Sequence, residues 1–332
     1  MMRARWQQTR EAFTRGWYAA EGVEADISGH LAAMRAGTRL YPAAEVHRLS
    51  VPAAAHTTRF EVTGESTLQA AARLAAAATG HADDGTGADT GKPAGTDRDG
   101  DGGPGARRDG DGGAAADVAA LNFASARNPG GGVVNGARAQ EESLARSSAL
   151  YDALVRCPEF YDTHRRERSL LYTDQVIYAP RVPVFRTDTG RWLADPFPVA
   201  FLTSAAPNRR MIERNTPEEA HRIPAALRSR AGGVLAVAAH HGHTRLVLGA
   251  WGCGVFGNHP SEVAGAFAHH LHGAFAGVFE HVVFAVLGDD DTARAPFRTA
   301  FDVPEPRPLP PGYCAGGRDW CPHPHRDSTA NP

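Results

Sequence analysis

The chain has 332 residues, 42% of them hydrophobic and 22% charged, with a formal net charge of −2. That balance fits a globular protein of one large domain or two smaller ones and gives no global reason to expect a nucleic-acid or membrane partner. No run reaches the roughly 18 uninterrupted apolar residues of a membrane helix, the start MMRARWQQTREAF lacks the apolar core of a secretory signal, and four cysteines are too few for a disulfide scaffold, so a cytoplasmic protein is expected.

In chain order, residues 3–20 read as a helix, with Trp6, Ala12, Phe13 and Trp17 on or near one face. Residues 24–50 hold a short strand and a helix. Arg59-Phe60-Glu61-Val62 alternates like a strand, and residues 66–78 are alanine-rich and helical. Residues 80–116 are mostly Gly, Asp, Ala and Thr. Such a segment buries too little apolar surface to offset the entropy of ordering it, so a disordered insertion is expected; its aspartates follow no calcium-loop register. Residues 118–123 form a short apolar run that reads as a buried strand. Further on, 170–178 and 197–202 read as strands, 182–185 as extended chain and 187–190 as a turn. Residues 217–239 look helical, interrupted by Pro224 and Gly232-Gly233. Residues 246–248 form a buried strand opening into GAWGCGVFGNHP, 261–279 a helix and 281–287 a strand. From about 303 the chain is Pro-, Gly- and Arg-rich and reads as a loose tail. Strands alternating with helices indicate an α/β layered domain.

The chemistry concentrates in residues 118–156: a strand, then Gly130-Gly131-Gly132, then a helix opening on Gln140-Glu141-Glu142. Consecutive glycines permit positive φ and let a ligand approach the backbone. A glycine loop feeding a helix points N–H groups at an anion such as a pyrophosphate. Packing alone would need one glycine, so three favour a ligand loop. Neighbouring side chains on a helix point about 100° apart, so Glu141 and Glu142 do not form a facing acid/nucleophile pair. One can act as general acid and base while the other holds a substrate hydroxyl; a plain macrodipole role is the alternative. Gly252, Gly254 and Gly257 spell GxGxxG late in the chain, without the opening βαβ unit and acidic residue of a dinucleotide fold. No Lys-Ser/Thr follows, so it is not a Walker loop either. What remains is a second glycine loop at a strand end, able to close on one diphosphate from the other side, with Phe256 packing on a ribose or in the core. His240, His241 and His243, and His269, His270 and His272, come without HExxH and read as solvated helix ends. Cys314, Cys321, His323 and His325 match no standard zinc spacing. Cys253 has no partner histidine nearby in sequence and reads as a small packing residue.

The string GGGVVNGARAQEE resembles the signature of poly(ADP-ribose) glycohydrolases, and its surroundings look like the bacterial-type branch of that family. The similarity continues through FYDTHRRERSLLYTDQVIYAPRVPVFR, Ala206-Pro207-Asn208 and LVLGAWGCGVFGN, covering roughly residues 3–79 and 117–302. Family members often carry a proline where this chain has Ala205, which bears on local loop shape only. The resemblance implies a macrodomain-like three-layer α/β/α sandwich with a mixed sheet. It would have an N-terminal helical extension over residues 1–56, a catalytic domain over 57–302 and a flexible tail over 303–332. It also implies that Glu142 is the acid/base and that Glu141 and Gln140 position the ribose at the scissile bond. The backbone of Gly130, Gly131, Gly132 and Val133, with Asn128 beside it, would contact that ribose and the diphosphate. Gly252, Gly254, Val255, Gly257 and Asn258 would form the opposite diphosphate loop, with Phe256 against the distal ribose. The implied reaction is hydrolysis of ribose–ribose bonds in poly(ADP-ribose) by a monomer, without metal or cofactor. An ADP-ribose reader without turnover, and a hydrolase of single ADP-ribose groups on macromolecules, remain the alternatives.

Overall fold

A computed structural model describes residues 1–78, 118–288 and 291–304. Its elements are α1 (Met2–Arg15), β1 (Trp17–Ala20), β2 (Val23–Asp26), α2 (Ser28–Gly37), β3 (Arg39–Tyr41), α3 (Ala43–Val46), β4 (Arg59–Thr63) and α4 (Thr67–Ala78). They continue with β5 (Val118–Phe123), α5 (Gln140–Ser147), α6 (Leu150–Leu154), α7 (Pro158–Arg166), β6 (Val176–Arg186), β7 (Trp192–Ser204) and α8 (Arg209–Asn215). The last are α9 (Ile223–His240), β8 (Arg245–Leu248), α10 (Pro260–Leu271), β9 (His281–Ala285) and α11 (Ala295–Phe301).

Seven strands form one mixed sheet in the order β3-β6-β7-β5-β8-β9-β4. The five from β7 to β4 run parallel, and β6 and β3 join antiparallel. The continuous apolar run of β5 follows from its place in the middle: a strand covered on both faces has no polar side to show. Val118 and Ala120 pack into a core with α1, α2, α4, α5 and α6. Ala119 and Leu121 face the opposite core, with α9, α10 and α11. The period of two along one strand thus divides a three-layer sandwich into its two cores. β3, within residues 1–56, is an edge strand of this sheet, while β1 and β2 form a separate hairpin.

Several elements depart from the sequence expectation, each for a local reason. The first helix ends early, at Gly16, whose left-handed conformation (φ 88°) returns its N–H to the Ala12 carbonyl; Trp17 therefore lies on a strand and is 37% exposed rather than on the helix's buried face. Residues 170–175 are loop, and the strand starts only at Val176. α9 runs unbroken through Pro224 and the glycine pair. Pro224 sits in the first turn, where a missing N–H costs nothing. The glycines are contact points: a Cβ on Gly232 would come 2.7 Å from the His270 ring, and one on Gly233 2.6 Å from Val46. The helix expected over 261–279 stops at Leu271. His240, His269 and His272 are exposed at helix ends as expected, whereas His241, His243 and His270 are drawn into packing. His241 stacks on Tyr178 at 3.6 Å and meets the Tyr41 hydroxyl, and His243 is buried against the Tyr178 hydroxyl. His270 and His272 reach the carbonyls of Arg228 and Ala300. The Gly/Asp insertion and the Cys/His tail lie outside the described residues, apart from the tail's first two. No described helix is long and apolar enough to cross a membrane.

Candidate active site

The parallel strands β5, β7 and β8 all end at one edge of the sheet, at Phe123, Ser204 and Leu248. Three loops leave that edge: 124–139, 205–208 and 249–259. Gln140 ties the first of them down. Its side-chain oxygen accepts the Phe123 N–H (2.9 Å), and its amide nitrogen donates to the Leu121 carbonyl (2.8 Å) and to Thr67 Oγ1 (3.1 Å). The amide thereby extends the ladder of β5 with a side chain and fixes the first turn of α5 against the starts of α4 and the loop.

With α5 so placed, its two carboxyl groups diverge. Glu141 points back under the strand end and is 3% exposed. Its Oε2 accepts the Ser125 N–H (2.7 Å) and its Oε1 the Asn122 amide (3.3 Å), which also donates to Thr203. Burial pushes its pKa up to about 8; the Ser125 and Asn122 hydrogen bonds oppose this, the neighbouring Glu142 charge adds to it, and the Gly130 N–H opposes it slightly. Glu142 turns to the glycine loop. Its Oε1 accepts the Gly132 N–H at 2.8 Å, while its buried Oε2 has no hydrogen-bond partner among the described residues.

The glycine run is explained by these carboxyl groups. Gly131 sits at φ 59°, and a Cβ there would lie 2.2 Å from Glu142 Oε1 and 3.1 Å from Glu141 Oε2. A side chain would fall where the carboxylate is. Gly130 is also closely packed, a Cβ there lying 2.9 Å from the Tyr151 ring. Val133 is buried and starts a short 3-10 turn, and Asn128 is exposed, its carbonyl accepting the Gly131 N–H at 3.0 Å.

The second loop is bound to the 205–208 loop. A Cβ on Gly252 would lie 2.5 Å from Asn258 Nδ2 and 2.7 Å from Ala206. Asn258 is buried, its amide donating to the Pro207 carbonyl (2.9 Å) and its N–H to Gly252 (3.0 Å). The Gly257 N–H closes on the Gly254 carbonyl, leaving Gly254 and Val255 exposed at the tip. Phe256 is partly buried, packed on the core with its ring 6.2 Å from that of Tyr172. The Cys253 thiol is pushed up to about 12, by burial first and then by Glu262, so it stays protonated. The structure thus gathers Gln140, Glu141, Glu142 and Gly130–Val133 around one helix start. Gly252 to Asn258 lie at the end of the adjacent strand.

Residues 6–187 match the model of the microbial-type PARG catalytic domain, PARG being poly(ADP-ribose) glycohydrolase. The chain belongs to this family. A crystal structure of the glycohydrolase from Thermomonospora curvata is similar at 46% identity with a TM-score of 0.75, over 90% of this chain and 99% of that one. The same enzyme bound to the inhibitor ADP-HPD is similar at 47% identity with a TM-score of 0.71, over 91% and 98%. The glycohydrolase of Deinococcus radiodurans in complex with ADP-ribose is similar at 38% identity with a TM-score of 0.67, over 84% and 98%. No curated protein matches the chain.

Within this glycohydrolase fold several supporting residues escaped the sequence reading. Asn122, Ser125 and Thr203 hold or back Glu141. Asn122 left a signal, as the one polar residue in the run 118–123. Arg230 left none, lying in α9 far from either loop in sequence. It is 1% exposed, pairs with Asp174 at 3.1 Å, and donates to the carbonyls of Ala205 and Leu171. It thereby clamps the 170–175 segment to the 205–208 loop and holds Tyr172, itself left-handed at φ 61°, beside Phe256.

Proposed function

We propose that this glycohydrolase cleaves the ribose–ribose bond of poly(ADP-ribose), releasing ADP-ribose, with Glu142 as the general acid and base. The observation that carries the reading is the asymmetry of the Glu142 carboxyl: one oxygen is fixed by the Gly132 N–H and the other is unpartnered. The free oxygen delivers a proton to the departing ribose oxygen as the C1–O bond breaks and its electron pair leaves with that oxygen. The resulting carboxylate then takes a proton from the water that adds to C1. The pyrophosphate lies between the two glycine loops, whose N–H groups suit an anion, and its charge favours the oxocarbenium-like centre.

Around this acid, the backbone of Gly130 to Val133, with Asn128, meets the ribose at the scissile bond, and the loop from Gly252 to Asn258 closes the far side, with Phe256 against the distal ribose. Glu141 holds a ribose hydroxyl. Gln140 acts at one remove, since its amide is engaged by the strand end. All these residues come from one chain, and we take the working unit to be a cytoplasmic monomer. It combines a catalytic unit over 57–302 with an extension over 1–56.

The test is digestion of poly(ADP-ribose) followed by chromatography of the products. Glu142→Gln is expected to lower turnover by about 10²- to 10⁴-fold while ADP-ribose still binds in a calorimeter. Undiminished turnover by that variant would remove the role given to Glu142. Binding of ADP-ribose by the wild type without any product would make the protein a reader. Release from singly modified proteins alone would make it a mono-ADP-ribosyl hydrolase.

A further inference from the structure

A polar cavity adjoins the helix that carries Glu142. It has a volume of about 190 Å³ and is bounded by α1, the second turn of α5 and the β6–β7 turn, with Arg5, Arg138, Arg146, Ser143, Ser147 and Asp188 among its walls. The β6–β7 turn reaches this edge of the sheet because Asp188 accepts the Ser66 hydroxyl at the start of α4. Arg146 is 6% exposed and is held by the Ala137 carbonyl at 2.6 Å. Arg186, 2% exposed, is bonded to Gln8 and to the carbonyl of Gly190 in the cavity wall, and lies 3.4 Å from the Trp192 ring.

Charge is what sets this cavity apart. None of these four arginines forms an ion pair with a carboxylate among the described residues. Asp188 is the one acid in the walls, against three arginines, and its carboxylate is engaged by the Ser66 hydroxyl. Burial lowers the basicity of Arg146; Glu142 partly offsets this, and the Arg5 and Arg138 charges add to the lowering. Arg186 is lowered to about 10 by burial and then by Arg5. Buried cations are ordinarily paired. A cluster of unpaired guanidinium groups, planar and bidentate, suits phosphate oxygens.

Its position names the phosphate. Arg146 follows Glu142 by one helical turn, and both hold the same loop, Arg146 at the Ala137 carbonyl and Glu142 at the Gly132 N–H. In poly(ADP-ribose) a second pyrophosphate lies one ribose beyond the bond to be cut. We propose that the Arg5/Arg138/Arg146 cavity receives the pyrophosphate of the ADP-ribose unit on the leaving side of that bond. The inference rests on the reading of Glu142 given above. It makes the protein a reader of two consecutive units and favours chains over single ADP-ribose groups, which lack the second pyrophosphate.

The experiment compares the wild type with an Arg5→Ala/Arg138→Ala double variant and an Arg5→Lys/Arg138→Lys control. Arg138 is exposed and Arg5 half-buried, so the alanine variant is expected to melt as the wild type does. Its KM for the polymer is expected to rise about tenfold, and the dependence of log kcat/KM on log salt to flatten by about one unit. Its kcat and its calorimetric affinity for free ADP-ribose stay unchanged, and the lysine control keeps most of the wild-type KM. A polymer KM within about twofold of wild type in the alanine variant, or a loss of ADP-ribose affinity in step with KM, would overturn the inference and leave the role of Glu142 standing. A wild type that leaves the polymer intact would overturn that role, and this inference with it.

Discussion

Burial first, and the neighbouring Glu142 as well, raise the pKa of Glu141 to about 8. In the unfolded chain the same carboxyl ionises near about 4.3. Between those values the folded protein binds more protons than the unfolded one, so this group's stabilising contribution, complete below the lower value, is lost as pH rises through about 8. Glu141→Gln keeps the shape and the acceptor for the Ser125 N–H but cannot ionise. The melting temperature of the wild type is therefore expected to fall relative to that of the variant between about pH 5 and pH 8. Parallel melting curves across that range would show that Glu141 keeps its usual pKa.

The glycine loop and the helix it feeds act as one element. Gly131→Ala would place a methyl group 2.2 Å from Glu142 Oε1 at φ 59°, and the left-handed backbone alone costs about 1–2 kcal/mol with a side chain present. Because Gln140 keeps α5 latched to β5, the strain is expected to displace the Glu142 side chain rather than the helix. Turnover of the polymer should fall by about 10²-fold with the far-ultraviolet circular dichroism unchanged; wild-type turnover would mean that the loop yields instead. This pair was legible in the sequence. An apolar run bounded by glycines reads as a strand, and two carboxylates after glycines read as a helix start. What the glycines were for was less legible, since the close neighbour of Gly131 is the carboxyl group ten or so positions on. The second loop was legible as glycines and not as a structure, because its closure depends on Asn258 reaching Pro207, a long-range contact without a sequence pattern. The β1–β2 hairpin was missed because the periodicity of α1 runs on through Trp17, and only the left-handed turn at Gly16 breaks it.

Across the whole molecule, the site depends on groups that no local pattern identifies. Arg230 joins α9 to both the 170–175 segment and the 205–208 loop from the interior. Arg230→Met takes the guanidinium from three carbonyls, those of Leu171, Tyr172 and Ala205, and from Asp174, which keeps only Ser229 and His47. Removing one member of a buried pair costs about 3–5 kcal/mol, and because Asp174 is 16% exposed the lower end is expected. A denaturant melt should show this loss, and KM for the polymer should rise as Tyr172 and the second loop loosen. An unchanged melt with unchanged KM would show that the clamp is dispensable. The arginine cavity was equally hidden, being assembled from the first helix, a loop and a distant hairpin turn.

The order of the sheet also bears on how the protein is made. β5 is flanked by β7 and β8, and edge strand β4 pairs with β9, the last strand among the described residues. On the ribosome, β4 and β5 emerge well before the partners that will flank them, and long-range parallel pairing of this kind is intrinsically slow. The apolar run Val118 to Leu121 stays open to misassociation until β7 and β8 have emerged. Nascent chains stopped short of β8 therefore have no half-finished enzyme to fall back on, and their release is expected to depend on chaperones that shield that one exposed run.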